Sequence, residues 1–167
     1  MVIIPLHNFA LQRPIHRMNI RRAQEKDLDQ IIAMLADDKL GAKRENYISP
    51  LPRSYHNALD RILKDSNQWL MVVESMDGRV IGTCQLTLIP YLTYQGGVRA
   101  QVEGVRIHKE NRGEGLGKKM IQWAIDKAIE EKAHVIQLTT DKQRPESIVF
   151  YENLGFVASH AGMKKHL

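Results

Sequence analysis

The chain has 167 residues, 43% of them hydrophobic and 26% charged, which is typical of one globular domain with a sizeable core. Its net charge of +5 is modest, so it does not require a nucleic-acid partner, although it suits a ligand that carries phosphates. The single cysteine, Cys84, excludes an internal disulfide, and no apolar run approaches the length of a membrane span. We therefore expect a cytoplasmic protein with neither a nucleic-acid nor a membrane partner.

Residues 1–17 carry arginines and histidines but no acidic residue, and Pro5 and His7 interrupt their short apolar stretches. This pattern does not fit a secretory signal. We interpret residues 1–17 as an N-terminal leader or extension and residues 18–167 as a single domain.

In chain order, a short strand over 18–22 precedes a helix over 27–35 with an apolar face. Ser54 is a candidate N-cap for a second helix. Two strands over 69–74 and 79–89 flank Asp77-Gly78, which is a strong hairpin signal. Residues 91–97 are predicted to form a loop.

The second half of the chain continues this alternation. A strand over 99–107 precedes a helix over 115–131, and a strand over 135–140 precedes a helix that starts at Pro145 and ends near residue 153. One or two short strands are expected within 156–158 and 162–165. The pattern predicts an α/β domain, a mixed sheet with helices packed on it.

The segment 111–118, Asn-Arg-Gly-Glu-Gly-Leu-Gly-Lys, is the most informative part of the chain. Three glycines at alternate positions link a predicted strand to a helix, so several backbone N–H groups are unobstructed at a helix N-terminus. Such a terminus carries partial positive charge and free donors, which favours a bound phosphate. A tight turn without a ligand is the alternative interpretation.

Two better-known phosphate loops do not match this segment. The P-loop pattern fails because Lys118 is followed by Lys119, and the dinucleotide fingerprint fails because the third glycine comes one residue early. The loop therefore belongs to another class.

Arg112-Gly113-Glu114-Gly115-Leu116-Gly117 resembles the Gln/Arg-x-x-Gly-x-Gly/Ala signature of the GCN5-related N-acetyltransferases (GNAT). Downstream, residues 150–156, Phe-Tyr-Glu-Asn-Leu-Gly-Phe, are similar to that family's Phe-Tyr-x-x-Leu-Gly-Phe. The resemblance covers roughly residues 18–167 and extends to a bacterial branch whose acceptors are mostly unassigned. It implies a single-domain, mainly antiparallel mixed sheet with helices on both faces.

The resemblance implies acetyl-CoA as cosubstrate, with no metal. In the family this loop holds the pyrophosphate, and pantetheine lies beside the preceding strand like an added strand. Residues of the phosphate loop, of that strand and of the last helix are then expected to contact the cofactor. They are Val105, Arg106, Ile107, Arg112, Gly113, Glu114, Gly115, Leu116, Gly117, Lys118, Arg144, Ser147 and Phe150.

Glu103 is the candidate general base. It lies in an apolar run before the loop. Unbroken alternation would place it on one face with Val105 and Ile107, whereas a bulge at Gly104 would rotate it away. A base is needed because an alkylamine is mostly protonated at neutral pH. An ion pair with Arg99 or Arg106 is the alternative interpretation.

Tyr151 matches the family's frequent general acid, which protonates the departing thiolate. The alternative is a core aromatic beside Phe150 and Phe156, and we interpret Phe150 as the packing partner. The family often has Asn seven positions before this tyrosine, where Arg144 stands here. Either Arg144 reaches the cofactor phosphates or that contact is lost.

The sequence thus predicts an acetyl-CoA-dependent N-acetyltransferase in which an amine attacks the thioester directly in a ternary complex. A protein-lysine or N-terminal acetyltransferase and a non-catalytic acyl-CoA-binding regulatory module remain open. The acceptor is a small-molecule amine or a protein amine. The oligomeric state is open, with a homodimer among the alternatives.

Overall fold

The computed structural model of the protein describes residues 18–166, so the interpretation of residues 1–17 as a leader lies outside the described residues. Five strands form one sheet in the order β1-β2-β3-β4-β5. They are β1 (Asn19–Arg22), β2 (Gln68–Glu74), β3 (Val80–Pro90), β4 (Val98–Ile107) and β5 (Val135–Leu138). Only β4 and β5 are parallel neighbours; the other three pairs are antiparallel, which confirms the predicted mixed, mainly antiparallel sheet.

Helices cover both faces of the sheet, as predicted. They are α1 (Leu28–Ala36), α2 (Arg53–Lys64), the single turn α3 (Thr93–Gly96), α4 (Leu116–Glu130) and α5 (Pro145–Glu152). Among residues 18–166, no helix has both the length and the apolar character needed to cross a membrane.

Strand β2 is buried on both sides, which explains its uninterrupted apolar run. Leu70 and Val72 pack under α1 and α2, whereas Met71 and Val73 pack under α4. On the α4 face a further cluster joins α4 to β3, β4 and α5, with Leu86, Val102 and Ile121 fully or almost fully buried. Because α4 packs tightly against the sheet, these core contacts fix the position of its N-terminus.

Two predictions of local structure are wrong. Ser54 does not cap α2, because the helix begins at Arg53 directly after Pro52, whose ring restricts φ to a value suited to a helix start. No strand forms within the described residues 156–166. The free edge of β5 therefore stays unpaired within the described residues.

A bulge in β4 shapes the candidate site. Glu103 lies opposite Gln85 of β3, but Arg106 lies opposite Thr83, so β4 holds one extra residue here, and Gly104 takes φ +60°. Pairing with β5 runs only from Arg99 to Val102. Beyond Val102, β4 has no strand partner on its β5 side within the described chain, which leaves a gap between the two strands.

Candidate functional site

The loop between β4 and α4 presents a set of free backbone donors. The amides of residues 113–118 donate hydrogen bonds to no residue that the structure describes, and the first helical bond runs from the Lys119 N–H to the Gly115 carbonyl at 3.2 Å. Gly113 and Gly115 adopt φ values of +85° and +76°, and no atom lies near where a Cβ would stand. This is the geometry of an anion site at a helix N-terminus, where the macrodipole adds to the donors.

The third glycine has a different role from the one the sequence suggested. A Cβ on Gly117 would lie 3.2 Å from the Phe150 ring and 3.9 Å from Ile107. Gly117 therefore lets α5 pack closely on the start of α4. Phe150 is half-buried in this contact, which agrees with its interpretation as the packing partner.

The side chains around the loop differ in what they offer a ligand. Glu114 and Lys118 are exposed, whereas Leu116 is buried in the core, so only its backbone can reach a ligand. The Arg112 Nε donates to the Ile107 carbonyl at 3.1 Å, and its terminal nitrogen lies 3.7 Å from Asp37. Ser147 is half-buried in the first turn of α5.

Val105 and Ile107 present their backbone to the gap beside β5. The Val105 carbonyl accepts a hydrogen bond from the Arg106 guanidinium at 2.8 Å, and the Ile107 carbonyl accepts one from Arg112. Their side chains pack into the core next to Met71 and Met120. At these two positions the side chain therefore packs in the core while the backbone faces the gap.

The expectation that Glu103 shares a face with Val105 and Ile107 is wrong. The extra residue at Gly104 breaks the alternation, so Glu103 lies on the α1 and α2 side while Val105 and Ile107 lie on the α4 side. Glu103 is also exposed, not enclosed in an apolar run, and no Arg ion pair holds it within the described residues. Its role as a base stays a prediction.

Tyr151 is half-buried on α5, with its ring edge-on to Phe150 at 5.1 Å and to Phe156 at 5.8 Å. Its hydroxyl makes no hydrogen bond to another described residue. Burial raises the pKa of Tyr151 above its ordinary value, and the nearby charges of Arg106 and Arg144 only partly oppose that rise. The phenol is therefore protonated at neutral pH.

Arg144 makes a contact that the sequence did not predict. One of its terminal nitrogens lies 2.8 Å from both carboxylate oxygens of Asp38, which follows α1. A terminal nitrogen of Arg106 lies 3.4 Å from the same carboxylate. Burial raises the pKa of Asp38, but the Gly41 N–H and the two guanidiniums outweigh it, so the pKa lies below its ordinary value.

Cys84 is a residue of the hydrophobic core. It is fully buried between β3 and α4, and burial raises its pKa to about 12, so the thiol stays protonated. Within residues 18–166, no three His, Cys, Asp or Glu side chains form a group that could hold a metal ion.

Comparison with known proteins identifies a family and several similar proteins. The Acetyltransferase (GNAT) family matches residues 29–156. The chain is similar to an uncharacterized N-acetyltransferase from Archaeoglobus fulgidus, with 25% identity over 80% of this chain and 89% of the relative. It is also similar to a glucosamine 6-phosphate N-acetyltransferase from Trypanosoma brucei brucei, with 30% identity over 54% of this chain and 59% of the relative.

A solved structure is similar over most of the chain. It is described as a transcriptional regulator from Bacillus halodurans C-125, with 52% identity and a TM-score of 0.87, and the match covers 90% of this chain and 100% of that one.

Proposed function

The chain belongs to the GNAT family of acetyltransferases, and from this premise we propose that it transfers the acetyl group of acetyl-CoA to an amine. One observation carries the proposal: the free amides of residues 113–118 adjoin a strand edge that leads towards Tyr151. An anion site and an open strand edge are what the pyrophosphate and the amide-containing pantetheine arm require.

The residues present suit the cofactor. The pyrophosphate would lie on the amides of residues 113–118, with Arg112 and Lys118 as flanking cations. The pantetheine amides would pair with the backbone of Val105 and Ile107. Ser147, Arg144 and Phe150 on or beside α5 would border the other side of the gap.

The chemistry needs a neutral amine and a protonated leaving group. The amine nitrogen attacks the thioester carbon, so a C–N bond forms, the C–S bond breaks and the electron pair moves to sulfur. Tyr151 would give its proton to that sulfur. Glu103, directly or through water, would take the proton that the amine loses.

A regulatory module that binds acyl-CoA without turnover is the second candidate. The description of the similar Bacillus halodurans protein as a transcriptional regulator favours it. A protein-modifying acetyltransferase also remains a candidate, because the same reaction would act on a lysine or N-terminal amine. We keep the cytoplasm as the proposed location, since one cysteine suits a reducing compartment.

One experiment separates these functions. Purified protein would be incubated with acetyl-CoA and a panel of small amines and lysine peptides, while release of coenzyme A is followed. Calorimetry would measure acetyl-CoA binding in parallel. Acetyl-CoA binding together with amine-dependent release supports the enzyme, and binding without release over the whole panel supports the regulatory module. Absence of binding would contradict both.

A further inference from the structure

Asp38, Arg106 and Arg144 form what we call the arginine cluster. It joins the segment after α1, strand β4 and the start of α5, and its three side chains are 26%, 15% and 21% exposed. Asp38 also accepts hydrogen bonds from the Leu40 and Gly41 amides at 2.9 and 2.6 Å. The carboxylate is therefore already engaged by its own loop.

The charges of the arginine cluster do not balance. Two guanidiniums share one carboxylate, and among the described residues no second carboxylate lies within 4 Å of either guanidinium. The positive charge of Arg44 repels that of Arg106. Of the nearby carboxylates, Glu45 lies 2.7 Å from Arg44, and Asp37 lies 3.7 Å from Arg112. One positive charge is left over in a half-buried place, where such an excess attracts an anion.

A missing hydrogen-bond acceptor points the same way. The Arg106 Nε–H is buried and donates to no described residue. A buried donor without a partner costs free energy, so the Val105 carbonyl and Asp38 do not satisfy the whole Arg106 guanidinium. The two arginines still have unused N–H groups, and guanidinium groups bind carboxylates and phosphates through paired hydrogen bonds.

The arginine cluster lies beside the chemistry proposed above. Arg106 and Arg144 both act electrostatically on Tyr151. Arg106 projects from the same side of β4 as Glu103, opposite the face that Val105 and Ile107 pack into the core. An anion here would thus lie close to Tyr151, at the end of the gap where the acetyl group is expected to react.

We propose that the acceptor amine carries a carboxylate or phosphate, and that Arg106 and Arg144 bind this group. The inference rests on the proposed transfer reaction and adds the chemical class of its acceptor. The anionic group would pair with the unused terminal N–H groups of the two arginines and share them with Asp38, which fixes the amine relative to the thioester.

The test uses matched pairs of amines. An α-amino acid is compared with its amide, and an amino sugar with its phosphate ester, by kcat/KM at saturating acetyl-CoA. For the wild-type protein, kcat/KM should be about tenfold or more higher for an anionic member of a pair. A hydrogen bond to a charged group contributes enough binding free energy for such a ratio. The carboxylate pair and the phosphate pair show which anion is preferred. Equal or better use of the neutral members would overturn the proposal.

Variants locate the effect. Arg144→Gln and Arg106→Gln should each lower the preference for the anionic amine, the ratio of kcat/KM for the two members of a pair, about tenfold. Asp38→Asn keeps an acceptor for the loop amides but removes a competing charge, so it should strengthen use of the anionic amine. Arg79→Gln, which breaks an exposed Arg–Asp pair, is the matched control and should change nothing. If kcat/KM falls equally for neutral and anionic amines, the arginines contribute to cofactor binding instead, and the proposal is overturned.

A binding measurement distinguishes failure of the reaction from failure of this inference. If no amine is acetylated, phosphate and succinate are titrated calorimetrically into protein saturated with coenzyme A, which occupies the phosphate loop. Anion binding that Arg144→Gln removes would support the arginine cluster even without turnover. Absent binding, or binding that Arg144→Gln leaves unchanged, would overturn it.

Discussion

Tyr151 combines two roles that the sequence left as alternatives. Its ring packs among aromatic side chains, while its hydroxyl is left without a described partner near two arginines. Burial raises its pKa, and a raised pKa keeps the proton on the phenol as the pH rises towards the ordinary value near 10. Packing and proton donation are therefore compatible in one residue.

Tyr151→Phe should separate these roles. The ring and its packing remain, but the proton donor is lost, so kcat should fall about 100-fold or more while the acetyl-CoA Kd stays nearly constant. Stopped-flow kinetics and calorimetry check the two quantities. Tyr91→Phe is the matched control, since that hydroxyl contacts only His134 among the described residues. Unchanged single-turnover kinetics in Tyr151→Phe would reduce the residue to a packing role.

Glu103 calls for a test by pH because its position differs from the expected one. If it accepts the amine proton, directly or through water, Glu103→Gln should depress kcat/KM and change the acidic limb of the pH–rate profile. Acetyl-CoA affinity should stay constant, since the cofactor site uses backbone groups. Glu110→Gln, an exposed glutamate outside the strand, serves as control. An unchanged profile would remove Glu103 from the mechanism.

At the scale of elements, one inserted residue and a few glycines organise the site. The bulge at Gly104 turns Arg106 and Glu103 to one side of β4 and Val105 and Ile107 to the other. The two left-handed glycines at 113 and 115 aim the amides outward, and Gly117 brings α5 close. The gap that we propose for the cofactor thus opens where β4 and β5 stop pairing.

Gly115→Ala tests the loop. A left-handed conformation costs a residue with a Cβ about 1–2 kcal/mol, so the loop should relax and the acetyl-CoA Kd should rise about tenfold. Gly78→Ala is the matched control, because Gly78 in the β2–β3 turn also has a positive φ, +81°, and open space where a Cβ would stand. It should lose similar stability in thermal unfolding but keep its acetyl-CoA affinity in calorimetry. Equal affinities of the two variants would contradict the assignment of the loop.

At the scale of the whole molecule, a partly buried ion cluster ties β1 to β2 and to the segment before α1. Arg21 lies 2.7 Å from Asp27, which precedes α1, and 2.7 Å from Glu74 of β2. Burial by itself raises the pKa of Asp27, but hydrogen bonds from Arg21 and the Gln24 N–H outweigh it, so the pKa lies below its ordinary value. The hydrogen bond from Arg21 also lowers the pKa of Glu74.

This arrangement predicts acid sensitivity. A depressed folded pKa adds stability that is present above the unfolded value of 3.8 and is lost as pH falls through the folded pKa. Asp27→Asn should lower the free energy of unfolding by about 3 kcal/mol at pH 7. Below pH 4, the free energy of unfolding of this variant should decrease less steeply with falling pH than that of the wild type. Urea unfolding at several pH values measures this. Asp60→Asn, in an exposed pair with Lys64, should change stability by about 0.5 kcal/mol or less. Similar losses in both variants would contradict this account.

Much of the fold and part of the candidate site follow from local patterns. The alternation of strands and helices, the glycine loop and the Phe-Tyr motif each lie within a short stretch, where periodicity and backbone conformation act between neighbours. For the same reason the family and the phosphate-loop geometry could be predicted. Two expectations failed: Pro52, not Ser54, precedes the first residue of α2, and residues 156–166 form no strand although the edge of β5 is open.

The sequence by itself determined the class of fold, the loop that offers free amides and the tyrosine beside it, because these depend on residues a few positions apart. Only the tertiary structure decided which side of β4 Glu103 occupies, because an extra residue reverses alternation without any change in composition. It also decided that Arg144 meets Asp38, since 106 residues separate the two and only the packing of α1 and α5 around the β4–β5 gap brings their charges together.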